Sequence, residues 1–249
     1  MDSLYHRKSI RKYKDTPISN KDLESILEAA VRASNTGNMQ LYSIVVTTDA
    51  GIKQQLCEQA HFNQSMVAKA PVVLTFCADL HRFTQWCSMR NAEPGFDNFL
   101  SFFTATIDAV IAAQTACVAA ESLGLGICYL GTTNYNAQNI IDILQLPPLV
   151  IPVTTVVVGY PDESPDVTHR LPMEAVVHYQ TYTMPNNQTI EQWYTPKEQL
   201  EESVRFVAEN NVQNLAQVFT QKRYTTQNNK VFSQKLLEVL YKQLCMNNQ

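Results

Sequence analysis

The stretch FLSFFTATIDAVIAAQTACVAAESLG, Phe99 to Gly124, decides the architecture of this chain. Its only charged positions are Asp108 and Glu121, and no Pro or Gly interrupts it before Gly124. The spacing predicts one long helix, closed by Gly124 in the left-handed conformation that glycine adopts without strain. A helix apolar nearly all round is buried on every side. In a chain of 249 residues this makes it a core helix or part of a subunit interface.

Outward from that helix, helices and strands alternate. Towards the N-terminus, PISNKDLESILEAAVRAS reads as an amphipathic helix. Ser19 and Asp22 form a capping-box pattern, and Leu23, Ile26, Leu27, Ala30 and Val31 recur at helical spacing. After the polar loop Ala33–Gln40, LYSIVVTTD reads as a strand, and a short helix over 52–60 follows. APVVLTFCAD is apolar on both faces and reads as a central strand. Residues 81–98 read as an irregular surface loop or lid. Beyond the long helix, GICYLG reads as a short strand or turn, TTNYNAQNIIDILQLP as a helix stopped by Pro147, and LVIPVTTVVVGYP as a third central strand. This order indicates an α+β or α/β sandwich with one main domain over residues 1–182. Residues 183–249 are rich in Asn and Gln. They read as a C-terminal extension with amphipathic helices around 196–210 and 232–243, packing on the main body or on a partner subunit.

Composition removes several function classes. A net charge of −4 and a pI of about 5.7 argue against a broad nucleic-acid groove, which needs cations to neutralise phosphates. The six cysteines form no CxxC pair and the five histidines lie far apart, so no metal site is expected. The thiols read as buried and free in a reducing compartment. No apolar leader follows Met1, and no run of about 18 uninterrupted apolar residues is present. The expectation is a cytoplasmic protein without a membrane span. GxSxG is absent, and GLGICYLG lacks the third glycine and the preceding strand of a dinucleotide fingerprint.

One charge run stands out. YHRKSIRKY, Tyr5 to Tyr13, packs His6, Arg7, Lys8, Arg11 and Lys12 around Ser9. A run of this kind is either a solvated face or a phosphate clamp, since paired guanidinium groups hold phosphate through charge-assisted N–H bonds.

Four motifs in order separate these readings. The basic-Ser-Ile-Arg-x-Tyr opening followed by Pro17-Ile-Ser19, the loop Ala33–Gln40, the stretch Ser122–Gly131, and GYPDESPDVTHRLP ending in Arg170-Leu-Pro resemble the flavin-dependent nitroreductase superfamily. The branch they resemble is that of oxygen-insensitive NADPH nitroreductases and NADPH:flavin reductases. The resemblance spans residues 4–182. It implies a mixed sheet flanked by helices, and an intertwined homodimer with the long helix at the interface and an FMN at each of two shared sites. It also implies that Arg7, Lys8, Ser9, Arg11 and Arg170 hold the FMN phosphate and ribityl chain. Asn35, Thr36, Asn38 and Gln40 would face the isoalloxazine from the other subunit, Gln64 its edge, and Tyr129, Leu130, Gly131 and Thr132 its opposite side. No side chain is required as catalytic acid or base, because NADPH or NADH would pass a hydride to the flavin and a small-molecule acceptor would then take its place. The resemblance leaves other flavin reactions on the same scaffold, such as dehalogenation or dehydrogenation, and a non-catalytic FMN-binding sensor as alternatives. Asn35 and Asn38 have a plainer reading as turn residues. Two departures from the pattern are Thr168, where relatives often carry Lys, and Thr132, where many carry Gly.

Overall fold

The computed structural model describes residues 2–95 and 97–247; Met1, Phe96, Asn248 and Gln249 lie outside the described residues. It divides into two units, Met1–Asp166 with Phe232–Gln249, and Val167–Val231. The division falls at 166/167 rather than at the expected 182/183, and the end of the chain returns to the first unit.

In the first unit, runs rich in Val, Ile and Thr form four strands: β1 (Tyr42–Thr47), β2 (Val72–Asp79), β3 (Gly126–Leu130) and β4 (Val150–Gly159). Their order is β1-β2-β4-β3, so the two most apolar strands are central. Every strand pair is antiparallel, where a mixed sheet was expected. The parallel component among the described residues is a single bridge between Ser9 and Ile127. The β2–β4 register shifts between Phe76 and Cys77, where Pro152 of β4 has no N–H to donate.

Alternate residues of the sheet feed two cores. Val72, Leu74, Phe76 and Ala78 of β2 face one. Val73, with Cys128, Leu130 and Val157, faces the other. The first core is covered by α1 (Asn20–Val31) and by the long helix. Ser19 Oγ accepts from the Asp22 N–H at 3.1 Å to start α1, as its capping pattern requires. The second core is covered by α2 (Ala50–Gln55) with the widened turn that follows it, by α3 (Ser65–Lys69), and later in the chain by Ala137–Leu144. Residues 81–98, expected to be a loop, begin with the helix α4 (His81–Ser88) and become irregular only after Met89.

The long helix is α5 (Phe99–Ser122), capped by Asn98, whose Oδ1 accepts from the Ser101 N–H at 3.0 Å. Gly124 has the positive φ of 77° expected of the closing residue. The expectation of burial all round is corrected. Ala105, Ala109, Ala112, Ala113, Ala116 and Ala120 are buried, whereas Leu100, Phe103, Ile107, Val110 and Ile111 are exposed. The small side chains form one face, and that face lies close on the sheet and on α1. By length and composition α5 could cross a membrane, yet its alanine face is built into the core. After α6 (Ala137–Leu144) the chain leaves the first unit and re-enters it within α9. The second unit carries α7 (Asn187–Glu198) and α8 (Glu201–Glu209), and α9 (Thr226–Lys242) runs back into the first. Val239, Leu240 and Cys245 end up in the first core, and the Leu149 N–H donates to the Gln243 carbonyl at 2.9 Å. All six cysteines are buried and unpaired.

Candidate functional site

The basic segment lies along the edge of the sheet. The Ile10 N–H donates to the Ile127 carbonyl at 2.9 Å, and the Lys14 N–H donates to the Tyr160 carbonyl at 2.9 Å. Two glycines paired across the strands, Gly126 and Gly159, make this approach possible. A Cβ on Gly126 would stand 2.6 Å from Ile10, and one on Gly159 would stand 2.8 Å from Tyr13. Ile10 and Tyr13 thus anchor the segment, and the basic residues between and before them are carried at the rim.

Arg7 and Lys8 line one cavity of about 210 Å³ with His6, Ile10, Glu121, Gly126 and Pro161. Arg7 Nε stands 3.5 Å from Glu121 Oε1. That contact is too long for a hydrogen bond, so Arg7 Nε and Nη2 are both buried without a hydrogen-bond partner. Glu121 is itself poorly satisfied, and burial pushes its carboxyl up against the opposing effect of Arg7. Lys8 Nζ donates to Ser164 Oγ at 3.4 Å. Arg11 is exposed; its backbone N–H and that of Lys12 donate to Glu163 Oε1 at 2.5 and 3.1 Å. A guanidinium with two buried, unmet donors beside a second cation suits a phosphate, which presents several acceptor oxygens.

The polar loop 33–40 is organised differently. Asn35 Oδ1 accepts from the Gln40 N–H at 3.1 Å. Buried Asp108 on α5 accepts from the Thr36 N–H at 2.9 Å and from its hydroxyl at 3.1 Å. Gly37, Asn38 and Gln40 have positive φ. Gln40 gives its carbonyl to Arg82 and lines a groove with Tyr42, Ser43 and Arg82. Asn35 and Thr36 are therefore spent on holding the loop.

A third group gathers where β3 ends. Tyr129 is half-buried and donates to Gln114 Oε1 at 3.3 Å; burial pushes its phenol up, so it stays neutral. The Leu130 side chain is core, and its carbonyl accepts from the Thr133 hydroxyl at 2.9 Å. Gly131 is exposed, and a Cβ there would meet nothing within 4 Å. Thr132 Oγ1 lies 3.2 Å from Gln64 Nε2 and 2.8 Å from His61 Nδ1. His61 is fully buried, and burial pushes its pKa down to about 4, so the ring is neutral at pH 7.

Arg170 belongs to the second unit, where it is exposed and its Nη1 donates to the carbonyls of Thr168 and His169. Within the first unit the fold brings Gln64 to Thr132, and Arg7 and Lys8 to one cavity. The described contacts of the loop 33–40 run to α5 and Arg82. Sequence reasoning missed Glu121, Glu163, Asp108 and His61. Each acts on a partner 71 to 152 positions away or, for Glu121, across the N-terminal segment, and no local pattern marks such pairs.

Comparison with known proteins is consistent with this picture. The family model described as Nitroreductase family matches residues 4–160. The chain is 33% identical over 186 residues to the "FMN reductase (NADPH)" of Bacillus subtilis (strain 168), covering 74% of each chain. It is 34% identical over 182 residues to the "Oxygen-insensitive NADPH nitroreductase" of Salmonella typhimurium (strain LT2), covering 73% of this chain and 74% of that one. A crystal structure from Bacteroides fragilis NCTC 9343 superimposes with a TM-score of 0.97 at 51% identity, covering 99% of this chain and 100% of that one.

Proposed function

The chain belongs to the nitroreductase family, and from that premise we propose that it is an FMN-dependent NAD(P)H oxidoreductase reducing nitroaromatics, quinones or free flavin. The observation that carries this reading is Arg7, whose Nε and Nη2 are buried without a hydrogen-bond partner beside Lys8. Leaving such donors unmet costs about 1–3 kcal/mol each, so an anion that meets them is favoured, in competition with the Glu121 carboxylate that already pairs with Arg7 Nε at 3.5 Å. Arg11 extends the cationic rim and Ser9 adds a hydroxyl; the resemblance adds Arg170 to the residues that would hold the phosphate. Gly131 offers space for the ring; Gln64, Tyr129 and Thr132 offer polar groups at its margin, and Leu130 a backbone.

When bound, FMN supplies the hydride relay between nicotinamide and acceptor. The side chains bind and orient, and none is needed as acid or base. Neutral Tyr129 is already committed to Gln114. NADPH is the expected donor, since both named relatives carry it in their descriptions.

The exposed face of α5, with Leu100, Phe103, Ile107 and Val110, supports a homodimer. Covering the part of each such side chain that is still exposed is worth about 1 kcal/mol. In the dimer, Asn38 and Gln40 with the rest of their loop would serve the partner's flavin, since Asp108 ties that loop to the same helix. The unpaired thiols fit the cytoplasm.

The test is FMN uptake by the purified protein, followed by stopped-flow flavin reduction with NADPH and with NADH and steady-state turnover on menadione and nitrofurazone. A colourless protein that takes up no FMN overturns the reading. A flavin that bleaches once without sustained turnover on any acceptor replaces it with a sensor. A mass in solution equal to the 28.2 kDa chain overturns the dimer.

A further inference from the structure

Thr132 stands where many members of the resembled family carry glycine, and in this chain it is paired with His61. Gln64 Nε2 donates to Thr132 Oγ1 at 3.2 Å, so that oxygen already accepts one hydrogen bond. His61 Nδ1 is 2.8 Å from the same oxygen, and His61 Nε2 is buried with no partner. Two arrangements satisfy these distances. In one, Thr132 donates to Nδ1, and a buried Nε2–H is left without an acceptor. In the other, Nδ1–H donates to Thr132, and Nε2 keeps a bare lone pair. A buried N–H without an acceptor is the rarer defect, which favours the second.

In that arrangement Thr132 Oγ1 accepts from both His61 and Gln64, and its own hydrogen has no acceptor among the described residues. Thr132 is half-buried at the open side of Gly131. We propose that His61 is a positioning residue that, together with Gln64, fixes Thr132 as a hydrogen-bond donor to a ligand atom bearing a lone pair, a carbonyl or nitro oxygen or a ring nitrogen. The inference rests on the flavin-site reading for what that ligand is: the bound FMN itself or the acceptor that follows the nicotinamide. It makes the site selective for ligands that accept a hydrogen bond at that point, as the glycine of relatives cannot. Burial keeps His61 neutral at working pH, which the one-proton arrangement needs.

Two measurements test it. On the ¹⁵N-labelled apoprotein, the ring nitrogen shifts of His61 report the tautomer; Nδ1–H is expected, and Nε2–H overturns the proposal whatever the protein binds. On the holoprotein, Thr132→Val keeps the shape and removes the donor, and the Thr132 backbone, at φ −78° and ψ −10°, accepts either residue. The expected result is a rise of about fivefold or more in the FMN Kd or in the KM for menadione, with Thr132→Ser close to wild type. A change in Kd assigns the donor to the cofactor and a change in KM to the acceptor; no change in either overturns the proposal. His61→Asn, which keeps an N–H near Nδ1, should retain the wild-type values. His61→Leu should reproduce Thr132→Val and add nothing to it in the double variant; if His61→Leu does not fold, Thr132→Val and the tautomer still decide. Should the wild type take up no FMN, the flavin reading falls, while the tautomer remains measurable by itself.

Discussion

Two polar stretches of the first unit, His6–Lys12 and Ser34–Gln40, look alike as runs of hydrogen-bonding side chains and are used in opposite ways. In the basic segment the backbone does the holding, through Ile10 to β3 and through Arg11 and Lys12 to Glu163. Its guanidinium at Arg7 is left with unmet donors. In the loop the side chains do the holding, Asn35 to the Gln40 N–H and Thr36 to Asp108. The difference teaches that a polar residue is available to a ligand only where the fold has not already engaged it.

Four measurements break or sharpen that contrast. The largest effect is expected from His61, whose one engaged nitrogen sits in a site that excludes a charge. Its folded pKa of about 4 lies below its ordinary 6.5, so between these values the unfolded chain binds a proton that the native one does not. Stability should therefore fall as pH drops from 6.5 to 4, by about 3 kcal/mol in total. Urea titrations across this range should show that slope for the wild type and lose it in a folded His61→Asn variant; a slope unchanged by the substitution would assign it to other groups.

Asp108→Ala comes next. It leaves the Thr36 N–H and hydroxyl without their buried acceptor and should lower stability by about 2 kcal/mol, read as a shift in the thermal midpoint. A midpoint within error of the wild type would mean that the loop is held by something else. Arg7→Ala should weaken FMN binding about tenfold, close to 1.4 kcal/mol, while Lys12→Ala changes it less than about twofold. Arg11→Ala should also exceed Lys12→Ala, and equal effects of all three in a fluorescence titration would show a diffuse basic face in place of a clamp. The smallest effect belongs to Asn35→Ala, at about 1 kcal/mol of stability, chiefly from the lost bond to the Gln40 N–H, with the long 3.4 Å contact to the Ala33 carbonyl adding little. If that variant loses FMN affinity with an unchanged midpoint, Asn35 is a ligand-facing residue and the contrast fails.

Much of the fold was legible because its causes are local. Ser19, Asn98 and Gly124 mark helix ends through bonds and dihedrals within a few positions, and β2 and β4 announce their central places by apolar side chains on both faces. Helix α4 escaped notice because HRFTQWCS is short and mostly polar: Phe83, Trp86 and Cys87 follow helical spacing for a single turn only, and of the helix only Cys87 is buried. The site was legible in kind rather than in use. Basic and amide-bearing motifs were found, but Asn35 and Thr36 turned out engaged, Leu130 a core side chain, and Gln64 tied to Thr132 through a group shared with His61.

By itself the sequence determined the order of the strands, the identity of the central ones, the long alanine-bearing helix and the presence of a basic segment where a phosphate clamp is expected. Each follows from propensities and spacings within one or two turns of chain. Only the tertiary structure decided that α5 buries Ala105, Ala109, Ala112, Ala113, Ala116 and Ala120 and presents Leu100, Phe103, Ile107 and Val110 outward. The same holds for the engagement of Asp108, Glu121, Glu163 and His61. Periodicity fixes which residues share a face, whereas whether a face is covered or a donor is met depends on partners brought together from far along the chain.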